Sequence, residues 1–172
     1  FPGAVLALRD PSGASFTVTA GVADPTKGSA PIDASTPWII GSTTKTFVAV
    51  VVLQLAQEKK LDLDATIEAF FPDLPAASRI TARQLLQHTS GLHEYLDSDV
   101  VLRDARRVWS ARELIAVAVA RGPVGEPGAG FHYANTNYLV LGELIEKVTS
   151  RPWYAEVRNR ILVPLGLRHT GY

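Results

Sequence analysis

"IIGSTTKTFVAVVVLQLAQ", residues 39–57, breaks a rule of helix starts. An apolar pair leads into Gly41, then Ser42, Thr43, Thr44 and Lys45, and then into a run that is apolar on every side. The run predicts a helix over 42–58. Its apolar positions, from Phe47 through Ala56, cover the whole circumference, the pattern of a central buried helix rather than an amphipathic one. Lys45 is misplaced in such a helix, because the first turn carries partial positive charge and favours acids. Ser42 and Lys45 are three residues apart and share a helix face, so Oγ and Nζ can meet within one turn. Serine becomes a nucleophile when an adjacent base takes its proton. Lysine becomes that base when burial and the positive helix end disfavour its charged form. The plainer alternative is a Ser42 cap beside a solvated Lys45.

The surrounding composition fits one globular domain. The chain has 172 residues, 47% hydrophobic and 20% charged, and its 17 basic residues balance 17 acidic ones. That balance, with no basic run, argues against nucleic acid or an anionic membrane as partner. The absence of cysteine excludes thiolate catalysis and cysteine-bound zinc. No apolar run reaches the roughly 18 residues of a membrane span. The start, Phe1-Pro2-Gly3, is neither an initiator methionine nor a signal peptide, so the chain is expected to be a piece of something longer.

Working outward, Ala4–Arg9 and Ser15–Gly21 read as strands joined by the turn "DPSG", and residues 23–37 read as a loop. "WII", 38–40, reads as a short strand. Beyond the first helix, "LDLDATIEAFFPDLP" predicts a short helix stopped by prolines and capped by Asp62 and Asp64. "ITARQLLQHTSGL" predicts a helix closed by Gly91. Ser110–Arg121 predicts a helix with a capping box of Ser110 and Glu113. "GPVGEPGAG", 122–130, is a loop, followed by helices over Thr136–Thr149 and Tyr154–Leu162. Strands first and then many helices, without β–α alternation, indicate an α+β fold: an antiparallel sheet packed on helices. The expected organisation is one partial domain over 1–172, with a hairpin and nucleophile helix to about 60 and a helical region over about 61–165.

A second candidate lies at Tyr133-Ala134-Asn135, between the Gly/Pro loop and a helix start. A phenol beside a cation can relay protons, and an asparagine amide can both donate to and accept from a substrate amide. The alternative there is a packed tyrosine with Asn135 capping the helix. Taken with Ser42-Thr43-Thr44-Lys45, this motif resembles the first two motifs of the penicillin-recognising serine hydrolases, in the tyrosine form of class C β-lactamases and DD-peptidases. The flanking segments "GSTTKTF", "LDLDATI", "ITARQLLQHTSGL", "PGAGFHYANTNYLVLGELIEKVTSRPW" and "ILVPLGLRHTGY" match in order, most closely to secreted actinomycete D-alanyl-D-alanine carboxypeptidases.

The resemblance implies a β-lactamase/transpeptidase-like fold with an all-helical subdomain, and acyl transfer without metal or cofactor. Ser42 would attack a carbonyl, Lys45 and Tyr133 would handle its proton, and Asn135 would hold the substrate amide. D-Ala-D-Ala-like peptides and β-lactams are the implied ligands, and an extracytoplasmic location is implied too. An esterase or D-aminopeptidase on the same fold, or a non-catalytic penicillin-binding sensor, are the alternatives.

The family also carries a third motif, Lys or His then Thr or Ser then Gly, on a strand beside the serine. His169-Thr170-Gly171 is rejected for that place, because it follows the helix-ending "VPLGLR" and only Tyr172 remains to form a strand. The C-terminal strands are therefore expected on a parent or second chain. His88, His93 and Glu94 have a spacing that fits no helical metal pair, and structural roles are expected for them. Ser90 has no G-x-S-x-G elbow around it, and no phosphate-loop, dinucleotide or calcium-loop motif is present.

Overall fold

The structure, a computed structural model, describes residues 2–26, 28, 30–104 and 106–172, so Phe1, two positions of the loop at 23–37 and Ala105 lie outside the described residues. The chain divides into two compact units, 1–41 and 42–172. In the first, β1 (Gly3–Arg9) and β2 (Ser15–Gly21) form an antiparallel hairpin in continuous register from Gly3 opposite Gly21 to Arg9 opposite Ser15. The turn forms for the expected reason. Asp10 Oδ1 accepts the Ser12 hydroxyl at 2.6 Å and the Ala14 N–H at 2.9 Å, and Gly13 takes φ +90°. A side chain on Gly21 is excluded twice, since its φ is +83° and a Cβ there would lie 2.1 Å from the Pro2 carbonyl.

"WII" does not form the expected strand. Residues 37–40 are irregular and Ile39 is 99% exposed. Three apolar residues have no strand stability of their own without a neighbour to take their hydrogen bonds, and none of the described strands pairs with them.

The second unit is helical. A single 3₁₀ turn, Gly41–Thr43, opens into α1 (Thr44–Gln57), followed by α2 (Ala82–Leu86), α3 (Asp99–Arg103), α4 (Ala111–Ala120), α5 (Thr136–Thr149) and α6 (Trp153–Val157), which continues as a π-helical turn over Arg158–Leu162. The core joins Val48, Val51, Val52 and Leu55 of α1 to Leu85 of α2, to Val140, Leu141, Leu144 and Ile145 of α5, and to Ile161 and Leu162. The most buried helix is thus α5. The expectation that α1 is enclosed on all sides is corrected, because Val50 and Leu53 are exposed on its second apolar face. At the far end of α1, Arg160 binds Glu58 (2.5 and 3.2 Å) and Glu156 (2.5 Å), and this guanidinium holds the Glu58 carboxyl down at about 2.

Two helix expectations hold closely. Ser110 and Glu113 form the expected capping box on α4, and α5 spans Thr136–Thr149 as expected. Others are corrected. Residues 61–75 form turns, not a short helix, and Ile67 N–H bonds to the Ile80 carbonyl across a bridge of Thr66 with Thr81. Asp64 therefore caps nothing and instead grips Arg83 through two bonds of 2.6 and 2.8 Å. The helix over "ITARQLLQ" ends at Leu86, well before Gly91, because His88 already turns left-handed at φ +58°. Thr81 and Gln84 supply its capping box, and α3 is a further short helix without a sequence signal strong enough to mark it.

Replacing Leu144, which is fully buried, by alanine is expected to destabilise the protein by about 2–5 kcal/mol through lost transfer energy and a cavity. Leu53→Ala, on the open face of α1, is expected to cost less than about 1 kcal/mol, as surface changes do. Urea titration of both variants checks the ranking.

Candidate active site

Four of the residues singled out in the sequence converge within the helical unit. Ser42 stands in the 3₁₀ turn ahead of α1, and Lys45 follows one turn later, so the local helix sets their separation. Lys45 Nζ donates to Ser42 Oγ at 3.0 Å and to Asn135 Oδ1 at 2.6 Å. Ser42 Oγ and the Tyr133 phenol share a hydrogen bond of 2.9 Å. The amide orientation of Asn135 follows from chemistry, since a lysine amine facing it as donor requires the oxygen. Neither plain alternative survives. The side chain of Asn135 does not cap α5, Ser42 Oγ meets the side chains of Tyr133 and Lys45 rather than a backbone N–H, and Lys45 is half-buried between the rings of Tyr133 and Tyr138, 5.0 and 5.6 Å from their centroids.

Tyr133 is 44% exposed, yet its phenol is held below its ordinary value of 10.0 by the neighbouring Lys45 and by the Ser42 hydroxyl. Ser42 itself is exposed, so a substrate can reach Oγ. The positive end of α1 lies beside it, where negative charge on a reacting oxygen is favoured.

The second and third residues of Tyr133-Ala134-Asn135 are held from behind by residues 88–94, and sequence reasoning expected only structural roles there. Glu94 is buried, and its carboxylate accepts the backbone N–H of Asn135 through one oxygen and that of Leu96 at 2.9 Å through the other. Thr136 donates to the His93 carbonyl at 2.6 Å. His88 Nδ1 accepts the Ala134 N–H at 3.2 Å, and Asn137 Nδ2, which also donates to the Ala134 carbonyl at 3.1 Å, lies 3.3 Å from the same nitrogen. Ser90, which is no nucleophile in this setting, donates to Asn137 Oδ1 at 2.5 Å and accepts the Leu92 N–H at 3.1 Å. Among the described residues the buried side-chain polar atom left without a partner is Gln54 Oε1, outside this network, and a satisfied network rigidifies what it holds.

Among the described residues no cluster of histidine and carboxylate groups suits a metal ion. No helix among them is long and apolar enough to cross a membrane. His169-Thr170-Gly171 is exposed and belongs to no strand. A cavity of about 60 Å³, lined in part by Pro75, Ile80, Leu92 and Ala118, lies behind residues 90–93 and includes none of the four site side chains.

The chain as a whole has counterparts in known proteins. The family model described as β-lactamase matches residues 1–172. This chain belongs to the β-lactamase family. It superimposes on a D-stereospecific amidohydrolase from Streptomyces sp. with a TM-score of 0.83 and 39% identity, covering 97% of this chain and 50% of that one. It likewise matches the D-amino acid amidase of Ochrobactrum anthropi SV3, with a TM-score of 0.84 and 34% identity over 95% of this chain and 47% of the other. Among curated proteins it is 28% identical to the putative penicillin-binding protein PbpX of Bacillus subtilis, over 80% of this chain and 33% of that protein. The chain thus spans about half the length of these solved relatives and a third of the curated one. The expected family and α+β fold are those found.

Because hydrogen bonding from Lys45 is the largest cause of the lowered Tyr133 phenol, Lys45→Met is expected to return its titration toward 10. Ultraviolet difference titration against a Tyr133→Phe background reads this directly. An unchanged midpoint would assign the shift to something other than Lys45.

Proposed function

We propose that this chain carries the nucleophile of a serine hydrolase that works through an acyl-enzyme on amide bonds next to D-configured residues. The observation that carries this reading is the shared position of Ser42 Oγ, 3.0 Å from Lys45 Nζ and 2.9 Å from the Tyr133 phenol. In the proposed acylation, Oγ attacks the substrate carbonyl carbon while its proton moves to Tyr133 as phenolate. Lys45 stabilises that phenolate and orients Oγ. The tetrahedral intermediate collapses as the proton passes from Tyr133 to the leaving amine, and the C–N bond breaks. Water then attacks the ester carbonyl, its proton passing through Tyr133 to Oγ as the Oγ–acyl bond breaks and the carboxylic acid leaves. Asn135, with its oxygen turned to Lys45, offers its amide nitrogen to the substrate carbonyl. General acid–base help of this kind contributes on the order of 10²–10⁴-fold.

The substrate class proposed is D-Ala-D-Ala-like peptide, with β-lactams as acylating analogues, as the similarity to a penicillin-binding protein supports. A second reading, a D-amino acid amidase or D-aminopeptidase, is favoured by the two solved relatives, whose names specify D-amino acid amide or D-stereospecific substrates. We further propose that the strand completing the oxyanion hole comes from additional chain, in the same polypeptide or another, and that the protein works outside the cytoplasm.

Intact-mass analysis after incubation with a fluorescent penicillin tests the shared chemistry. The intact protein is expected to gain one covalent adduct and Ser42→Ala none. Equal labelling of both would remove Ser42 as nucleophile, and no labelling of the intact protein, together with no turnover of D-amino acid amides, D-Ala-D-Ala peptides or short esters, would overturn the hydrolase reading.

A further inference from the structure

His88 is a buried titratable residue that the proposed reaction does not use, yet it touches the reacting group. Its ring lies face to face with the Tyr133 ring, with centroids 4.4 Å apart and planes 25° apart. Tyr138 and Phe131 flank the same imidazole at 5.3 and 5.9 Å. Its Nδ1 accepts the N–H of Ala134, the residue directly after Tyr133, so Nδ1 carries no proton and the neutral ring bears its hydrogen on Nε2. The residue also holds a left-handed backbone, φ +58°, and its carbonyl accepts the His132 N–H at 2.8 Å, one residue before Tyr133. One imidazole residue therefore grips the chain on both sides of Tyr133 and supports its ring from beneath.

We propose that neutral His88 is a positioning residue that fixes the Tyr133 phenol against Ser42 Oγ, and that protonating it releases this grip. This rests on the acyl-transfer reading of the site. A second proton on the ring would turn Nδ1 from acceptor to donor, facing the Ala134 N–H and the Asn137 amide. The groups that set this balance are Lys45 of α1, Glu94 of the 88–94 segment, Tyr133 ahead of α5 and Tyr138 within its first turn. Burial, and next the charge of Lys45, keep the imidazole below its ordinary 6.5, while Glu94 opposes them. The neutral form is thus the working one at neutral pH, and acidification lets go of the phenol.

His88→Phe retains a ring and loses the acceptor. His88→Asn tolerates the left-handed backbone and offers an amide oxygen to Ala134, but it has no ring and does not titrate. Acylation rate constants and the fraction of acylatable protein are measured for both in the intact protein, with pH profiles.

The expected result for His88→Phe is a fully acylatable population with unchanged affinity for the β-lactam and acylation slowed on the order of 100-fold, the cost of about 1 Å of misplacement. His88→Asn is expected to recover part of that rate and to lose the acid limb of the wild-type profile. Wild-type rates in His88→Phe would overturn the proposal. So would a shrunken active fraction whose surviving molecules react at the normal rate, which marks a folding role. If His88→Phe fails to fold, an unchanged acid limb in His88→Asn overturns it. If the wild-type protein does not acylate, the acyl-transfer reading fails. The Tyr133 titration then decides the His88 assignment: a midpoint raised in both variants supports it and an unmoved one refutes it.

Discussion

Lys45 Nζ, bonded at once to Ser42 Oγ and Asn135 Oδ1, is the contact on which the rest of the site depends. It joins the first turn of α1 to the residue that immediately precedes α5, two helices separated by 78 residues of turns, loops and short helices between Gln57 and Thr136. A cation is disfavoured at a helix N-terminus. It stays here because an amide oxygen and a hydroxyl oxygen accept from it and two aromatic faces flank it. The arrangement benefits Tyr133, whose phenol ionises more readily because Lys45, and next the Ser42 hydroxyl, donate hydrogen bonds to it.

Such a contact works only if both helix starts are fixed. α1 and α5 share the core through Val48, Val51, Val52 and Leu55 on one side and Val140, Leu141, Leu144 and Ile145 on the other. Apolar packing of this kind is non-directional and sets separation better than orientation. Orientation is supplied by the polar segment His88–Glu94, where Glu94 takes the Asn135 N–H and His88 takes that of Ala134. Buried hydrogen bonds to backbone N–H groups are costly to leave unmade, so they define one position for Tyr133 and Asn135.

Much of this was legible in the sequence where local rules suffice. The turn at Asp10–Gly13, the box at Ser110 and Glu113 and the extent of α5 follow from residues close together in the chain. Ser42, Lys45, Tyr133 and Asn135 were legible through motif spacing and family resemblance. The misread segments share a cause. Residues 61–75 take their structure from partners distant in sequence, such as Ile80 for Ile67 and Arg83 for Asp64, and residues 38–40 stay irregular because none of the described strands pairs with them. The roles of His88 and Glu94 were illegible for the same reason, since a histidine's spacing to other histidines says nothing about the backbone N–H groups 41 to 46 residues later that it and its neighbour hold.

In the proposed reaction Lys45 makes Ser42 reactive. The most direct test is the rate at which a fluorophosphonate modifies the intact protein, with the adduct mapped by peptide mass spectrometry, in the wild type and in Lys45→Met. The expected result is a single adduct on the peptide bearing Ser42, formed more slowly in Lys45→Met by on the order of 10²–10⁴-fold. An adduct on another residue, or equal rates in the two proteins, would contradict it.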